Sequence, residues 1–332
     1  MNTLFNAITD VPGIKVGHAQ DLDALTGCTV ILCEKGAMGG VDQRGGAPGT
    51  RETDAVRPMH LVEHVHGVLL AGGSAFGLDA AGGVMHYLAE KKVGVNVGVA
   101  RVPIIPAAIL FDLALGKADV YPNAEMGYQA CLNASTQAPE QGNIGAGTGA
   151  TVGKIFGMGQ AMKSGIGTAS MEIGGGVIVA AMIAVNAFGD VIDPHTQQPV
   201  AGARAAQIGP LRLGAPGYFA DTLETMKTLA GRATLGLAAR QNTVIGVVAT
   251  NAQLNKEETN KVAQMAHNGL ALTIRPAHTM YDGDTLFALA THQKKADINI
   301  VGAFAAQVVA EAILNAVKMA ASVGDLPGLK DL

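Results

Sequence analysis

The stretch Asn242-Thr-Val-Ile-Gly-Val-Val-Ala-Thr250 decides how the rest of the chain is read. From Thr243 onward it is β-branched or small and carries no charge, the pattern of a strand covered on both faces. What precedes it is different. Gly189 to about Asn242 holds Pro194, Pro199, Pro210 and Pro216 and keeps no period, so it is expected to be a linker or mobile loop. Val177-Ile-Val-Ala-Ala-Met-Ile-Ala-Val185 is a second continuously apolar strand and ends at Asn186. Downstream, Asn255-x-x-Glu258 has the spacing of a capping box and opens a helix through Val262, Met265, Ala266 and Leu270. A long helix is expected over roughly Val301 to Val323. Upstream, Thr29–Cys33, Val65–Leu70 and Val93–Val102 read as strands, and a helix as reaching about Lys91. Asp42–Asp54 reads as a Gly- and Pro-punctuated loop, and Pro103–Leu115 as a loop entering a short helix. These elements follow no strict βαβ repeat, which favours a layered α/β domain with a largely antiparallel sheet.

Composition excludes several classes. Of 332 residues, 48% are hydrophobic and 15% charged, enough apolar surface for a large core and too little charge for disorder. The 44 glycines follow no collagen period and suggest close layer packing. A formal charge of −4 with no basic run speaks against nucleic acid. Cys28, Cys33 and Cys131 are an odd set in a long chain, and no secretory signal opens it, so a cytoplasmic location is expected. Apolar runs are interrupted before a spanning length, so no membrane is expected as a partner.

Two glycine-rich segments fail as phosphate loops. Gly72-Gly-Ser-Ala-Phe-Gly77 lacks the dinucleotide spacing. Gly145-Ala-Gly-Thr-Gly-Ala-Thr-Val-Gly-Lys154 has Thr148 where a P-loop needs its first glycine, and Ile155 where a Ser or Thr would bind magnesium. His60, His64 and His66 fit no single face of a helix or strand, so no metal is expected there.

Thr243 admits two readings. One is a β-former that opens a strand. The other is a nucleophile, which needs a base; a free α-amine, with a pKa of about 7.7–8.0, would supply one if the Asn242–Thr243 bond were cut. Candidate partners are Asp282 and Asp284, which flank Gly283 ahead of the strand Thr285–Ala290. Carboxylates at i and i+2 on a strand point the same way, though an Asp-Gly turn explains them equally. Asn186 and Lys154 each end a segment with a lone polar group. An asparagine closing a buried strand needs a hydrogen-bond partner, and an oxyanion is one such partner.

Thr9-Asp-Val-Pro-Gly-Ile-Lys-Val-Gly-His18, Arg44-Gly-Gly-Ala-Pro-Gly-Thr-Arg-Glu-Thr-Asp54, Ala71-Gly-Gly-Ser-Ala-Phe-Gly-Leu-Asp79, Val185-Asn-Ala187, Asn242-Thr243 and Asp282-Gly-Asp284 together span nearly the whole chain. In these blocks the sequence resembles the family of the L-aminopeptidase/D-esterase, the β-aminopeptidases and the nylon-oligomer endo-hydrolase. The resemblance implies a four-layer αββα sandwich similar to that of N-terminal-nucleophile hydrolases. It also implies autocatalytic cleavage into an α chain, 1–242, and a β chain, 243–332, which stay together in one domain and assemble as tetramers of αβ units. Carried over by position, Thr243 is the nucleophile and its own amine the base. Asn186 falls on the oxyanion side, Lys154 near the active site, and Asp282 and Asp284 on the paired aspartates of the nylon-oligomer enzyme. Gly72, Gly73, Ser74 and Phe111 are expected to line the substrate pocket, with Phe111 standing where some relatives have a tyrosine. The implied activity is hydrolysis of a small peptide, β-peptide, synthetic amide or ester through an acyl-enzyme, without cofactor. The alternatives are acyl transfer by the same nucleophile and an unprocessed small-molecule binding protein.

Overall fold

A computed structural model describes residues 4–208, 211–214, 217–229, 231–233 and 242–332. Its main strands are β1 (Lys15–Asp21), β2 (Thr26–Gln43), β3 (His64–Ala71), β4 (Ala107–Ile109), β5 (Ile166–Glu172), β6 (Ile178–Asn186), β7 (Thr243–Ala252) and β8 (Thr285–Lys294). The main helices are α1 (Ala80–Glu90), α2 (Ala124–Leu132), α3 (Lys256–Thr273) and α4 (Ile298–Lys318). The strands join in the order β5-β6-β7-β8-β2-β3-β4, closed by the short strand Thr50–Arg51, with β1 also on β2. Pairing is antiparallel except for β7 with β8 and β3 with β4.

β2 makes this path into two layers. Its first half, Thr26–Leu32, pairs with β1, and Cys28–Leu32 with β3; its last residues, Met38–Gln43, pair with β8. Between Leu32 and Ala37 the register slips, and Gly36 sits there at φ +83°, where a side chain would be strained. A strand broken in this way turns a corner and belongs to both sheets.

Three apolar clusters follow from side-chain alternation. Ala180, Met182 and Ala184 of β6, with Ile245, Val247 and Ala249 of β7, face Val65, Val68 and Leu70 of β3 across the space between the sheets. The opposite faces of β6 and β7 (Val179, Ala181, Ile183, Val185, Val244, Val248) lie under α3 and α4. Val30, Leu69 and Ala71 on the far side of the other sheet lie under α1 and α2. The layers are thus helix, sheet, sheet, helix, and β6 and β7 are apolar along most of their length because both faces are covered, with Asn186, Thr243, Thr250 and Asn251 as buried polar residues at their ends. α4 has the length and hydropathy of a membrane-spanning helix, but its apolar side chains are spent on this core. The abundant glycine has a local cause where α1 crosses α2: a Cβ on Gly83 would lie 1.8 Å from the Ala124 carbonyl oxygen, and one on Gly127 2.0 Å from that of Ala80.

The capping box is present, with Asn255 Oδ1 accepting from Glu258 N and Glu258 Oε2 from Asn255 N, both at 2.8 Å. Three expectations need correction. Val93–Val102 is not one strand but a hairpin, Val95–Asn96 against Arg101–Val102, because Gly98 at φ +86° reverses the chain. Pro103–Leu115 leads to no helix; Ala107–Ile109 is drawn into the sheet beside β3. The stretch from Gly189 carries regular elements where a linker or mobile loop is expected: strands at Asp190–Ile192 and Pro199–Ala201 and a helix at Thr222–Lys227. Buried Asp190 ties them together by accepting from Ala203 N, Thr222 N and Thr222 Oγ1. Residues 209–210, 215–216, 230 and 234–241 of the expected linker lie outside the described residues.

Candidate active site

Sheet register brings the sequence-predicted residues to one end of β7. Antiparallel pairing sets Asn186, the last residue of β6, directly opposite Thr243. Parallel pairing of β7 with β8 starts at Ile245 and Thr285, so the residues just before each strand also run side by side, and Asn242 bridges to Asp282. Lys154 arrives from the loop after Gly153, whose N–H binds the Gly189 carbonyl while Lys154 N binds that of Phe188. Thr243, Asn186, Lys154, Asp282 and Asp284 are all buried.

The Thr243 hydroxyl donates to the carbonyl oxygen of Asn242. The same oxygen accepts the N–H of Gly283 at 3.1 Å. Gly283 must be glycine, since a Cβ there would lie 2.9 Å from Thr243 Oγ1 and 2.7 Å from the Ala47 carbonyl oxygen. Asp284 Oδ1 accepts from Val244 N at 2.8 Å, while its Oδ2 accepts from His278 N at 3.0 Å and pairs with His278 Nδ1 at 2.8 Å. Asp282 Oδ2 accepts from Thr279 N at 2.9 Å and from the Thr279 hydroxyl at 2.5 Å. The two carboxylates do not act as an i, i+2 strand pair, because β8 begins only at Thr285; each has its own donors.

Asn186 is held by both ends of its amide. Oδ1 accepts from Lys154 Nζ at 2.7 Å and Thr151 N at 3.0 Å, and Nδ2 donates to the Phe111 carbonyl at 2.8 Å. Phe111 thus meets the site through its backbone, beside a small cleft lined by Phe111, Asp112, Gly149, Thr151, Lys154 and Met158. Gly72, Gly73 and Ser74 approach at one remove. Asp112 Oδ1 accepts from Gly73 N at 2.7 Å, and a Cβ on Gly72 would meet Asp112 Oδ2 at 2.0 Å.

Burial dominates the electrostatics. It pushes the Asp282 carboxyl above the usual range, and the nearby Asp284 charge adds to this, while the Thr279 donors and Lys154 oppose it. Burial lowers Lys154 to about 7, against the pull of Asp282. It also lowers Lys163 to about 7, where the ammonium spans the carbonyls of Ala150 and Ser164 at 2.8 Å each. A lysine whose folded pKa lies below its unfolded value of 10.5 binds fewer protons folded than unfolded between about 7 and 10.5, so stability rises with pH across that window. Thermal melts from pH 7 to 10 are expected to show such a rise, and Lys163→Met to flatten part of it. An equally steep rise in that variant would refute the assignment.

The Gly145–Gly147 turn leads into the strand Thr151–Val152, not into a helix N-terminus. His60 Nδ1 lies 3.0 Å from the Pro58 carbonyl, and His66 Nδ1 accepts from Ile104 N at 3.3 Å. Among the described residues no group of three or more His, Cys, Asp or Glu is placed to hold a metal ion.

Sequence reasoning missed Gly283, His278 and Thr151. Gly283 and Thr151 act through backbone N–H groups, which no residue type announces, and His278 acts through a turn that brings it back onto Asp284.

The family model described as Peptidase family S58 matches residues 6–330. A protein named as an uncharacterized aminopeptidase in Mycobacterium tuberculosis is 42% identical over 351 residues, covering 98% of each chain. The 6-aminohexanoate-oligomer endohydrolase of Kocuria sp. (strain KY2) is 31% identical over 325 residues, 93% of this chain and 85% of that protein. Among solved structures, the L-aminopeptidase D-Ala-esterase/amidase of Ochrobactrum anthropi, described as a variant of the Ntn-hydrolase fold, superposes with a TM-score of 0.71. It is 19% identical, and the match covers 96% of this chain and 88% of that one. A Burkholderia sp. β-aminopeptidase gives 0.68 at 22% identity, covering 99% and 92%.

Proposed function

Because the chain belongs to peptidase family S58 and is a hydrolase acting on amide bonds, we propose that it cuts its own Asn242–Thr243 bond and then works as an N-terminal threonine amidase. The observation that carries this reading is the setting of the bond in the uncut chain. Its carbonyl oxygen takes both the Thr243 hydroxyl and the Gly283 N–H, so the attacking group and a polarising donor already converge on it.

In the first reaction Thr243 Oγ1 attacks the Asn242 carbonyl carbon and the C–N bond breaks. The acyl group moves to oxygen and the nitrogen takes the hydroxyl proton. Water hydrolyses the ester and leaves a free α-amine on Thr243. In the second reaction that amine takes the hydroxyl proton as the same oxygen attacks a substrate amide. The Gly283 N–H, already on the Asn242 carbonyl, is one donor to the developing oxyanion, and Asn186, paired opposite Thr243, is assigned the second. Asp284 fixes the strand through Val244 N, and Lys154 and Asp282 set the local charge. The leaving amine departs protonated, and water releases the acyl group.

The pieces would stay together as one domain, since β7 lies between β6 and β8 in the middle of the sheet. We place the αβ unit in a cytoplasmic tetramer. The substrate class is a small peptide, β-peptide, synthetic amide or ester. Mass spectrometry of the purified protein is expected to show chains of 242 and 90 residues. A panel of aminoacyl amides and esters, assayed with and without an amine acceptor, separates hydrolysis from acyl transfer. Full-length chain alone, with hydrolytic activity, would defeat the proposal.

A further inference from the structure

We infer that His278 is a positioning residue for Thr243, acting through the carboxylate of Asp284. The inference rests on the reading of Thr243 as the nucleophile.

Asp284 is the only described side chain that binds the first backbone N–H after the nucleophile, that of Val244. A carboxylate rotates freely about its last bond unless both oxygens are engaged. Here Oδ1 is on Val244, and Oδ2 is gripped twice by one residue, through the backbone N and the ring Nδ1 of His278. The grip depends on the backbone of His278, whose φ of +58° turns its N–H and its ring toward the same oxygen. The ring is oriented in turn by an edge-on contact with His267 of α3, the centroids 4.9 Å apart. His267 is anchored by its Nε2 on the Asp42 carbonyl at 3.0 Å, and burial holds it neutral, so it brings no charge against His278.

The tautomer follows from the partner. A carboxylate only accepts, so the Nδ1 of His278 carries the proton that faces Asp284. Nε2 is buried and has no hydrogen-bond partner among the described residues. One ring nitrogen therefore does the positioning, and the other end of the ring is spent on packing. This separates His278 from a general base, whose free nitrogen would have to reach the reacting hydroxyl.

The two nitrogens can be distinguished by substitution. Asparagine places an amide N–H₂ near the position of Nδ1 and tolerates positive φ. Glutamine extends its amide toward the position of Nε2. Glycine keeps the backbone turn and the backbone N–H but removes the ring. The experiment is the first-order conversion of freshly refolded full-length precursor into the 242- and 90-residue chains, followed by intact mass, for wild type and His278→Asn, His278→Gln and His278→Gly. Circular dichroism confirms folding before each run. Glycine and glutamine are expected to slow conversion by roughly 10- to 100-fold, the usual loss when a group supporting a functional residue is removed, and asparagine to restore most of the rate. Glycine converting at the wild-type rate, or asparagine as slow as glutamine, overturns the inference. If glycine and glutamine fail to fold, asparagine alone decides, and a tenfold or greater slowing of it counts against us. A wild-type precursor that never converts defeats the underlying reading of Thr243 instead.

Discussion

Thr243→Ala should leave a single chain of 332 residues that neither cuts itself nor hydrolyses any amide the wild type accepts. The substitution keeps Cβ and removes the hydroxyl and one methyl from a buried site, so the fold should survive. The chemistry should not, because the reading gives the same oxygen to both reactions and the same residue supplies the amine. Loss of a nucleophile from such a unit typically lowers turnover by roughly 10⁴-fold or more. Thr243→Ser retains an attacking oxygen and is expected to cut, since only the β-methyl is lost. Intact mass and an aminoacyl-amide assay on the three proteins make the comparison. Chains of 242 and 90 residues from the alanine variant would move the nucleophile elsewhere.

Asn186→Leu is expected to have the next largest effect, and on two observables. Leucine is close in volume but takes away an acceptor shared by Lys154 Nζ and Thr151 N, along with the donor to the Phe111 carbonyl. Lys154 Nζ keeps the Asn186 backbone carbonyl at 3.1 Å, but a buried polar group that loses its partner costs about 1–3 kcal/mol, so the melting temperature should fall. Self-cleavage and turnover should fall further, by about 10²–10³, the scale measured when one oxyanion donor is lost. If the rate dropped only as far as the melting temperature explains, Asn186 would be a structural strut for Lys154 and not an oxyanion donor.

These two residues also mark where sequence reading succeeds and where it stops. β6 and β7 were legible because a doubly covered strand is apolar throughout, and that pattern survives without knowledge of the partner strands. Helix α3 was legible from its cap. That Asn186 faces Thr243 was not, because the facing is set by antiparallel register between segments far apart in the chain. The corner strand β2 was seen only as Thr29–Cys33. Its second half carries Gly36, Gly39 and Gly40 and shows no strand pattern, yet Gly40 is needed where α3 presses on the sheet: a Cβ there would lie 2.6 Å from the Thr259 carbonyl carbon. At Val93–Val102 the valines suggested one strand, and the turn at Gly98 overrode them. Asp282 and Asp284 were found as residue types, but their separate duties depend on Thr279 and His278, which reach them across a turn.

The central place of β7 has a consequence for the life history of the molecule. In the uncut chain every strand of the sheet is tethered to its neighbours, and folding is an event within one molecule. If the bond before Thr243 is broken as proposed, β7, β8, α3 and α4 would belong to a separate polypeptide that holds the middle of one sheet and the helices above it. Reassembly after denaturation would then be an encounter between two partners, dependent on their concentration and open to competing aggregation of bare strand edges. The precursor and its product would share one architecture but not one route to it.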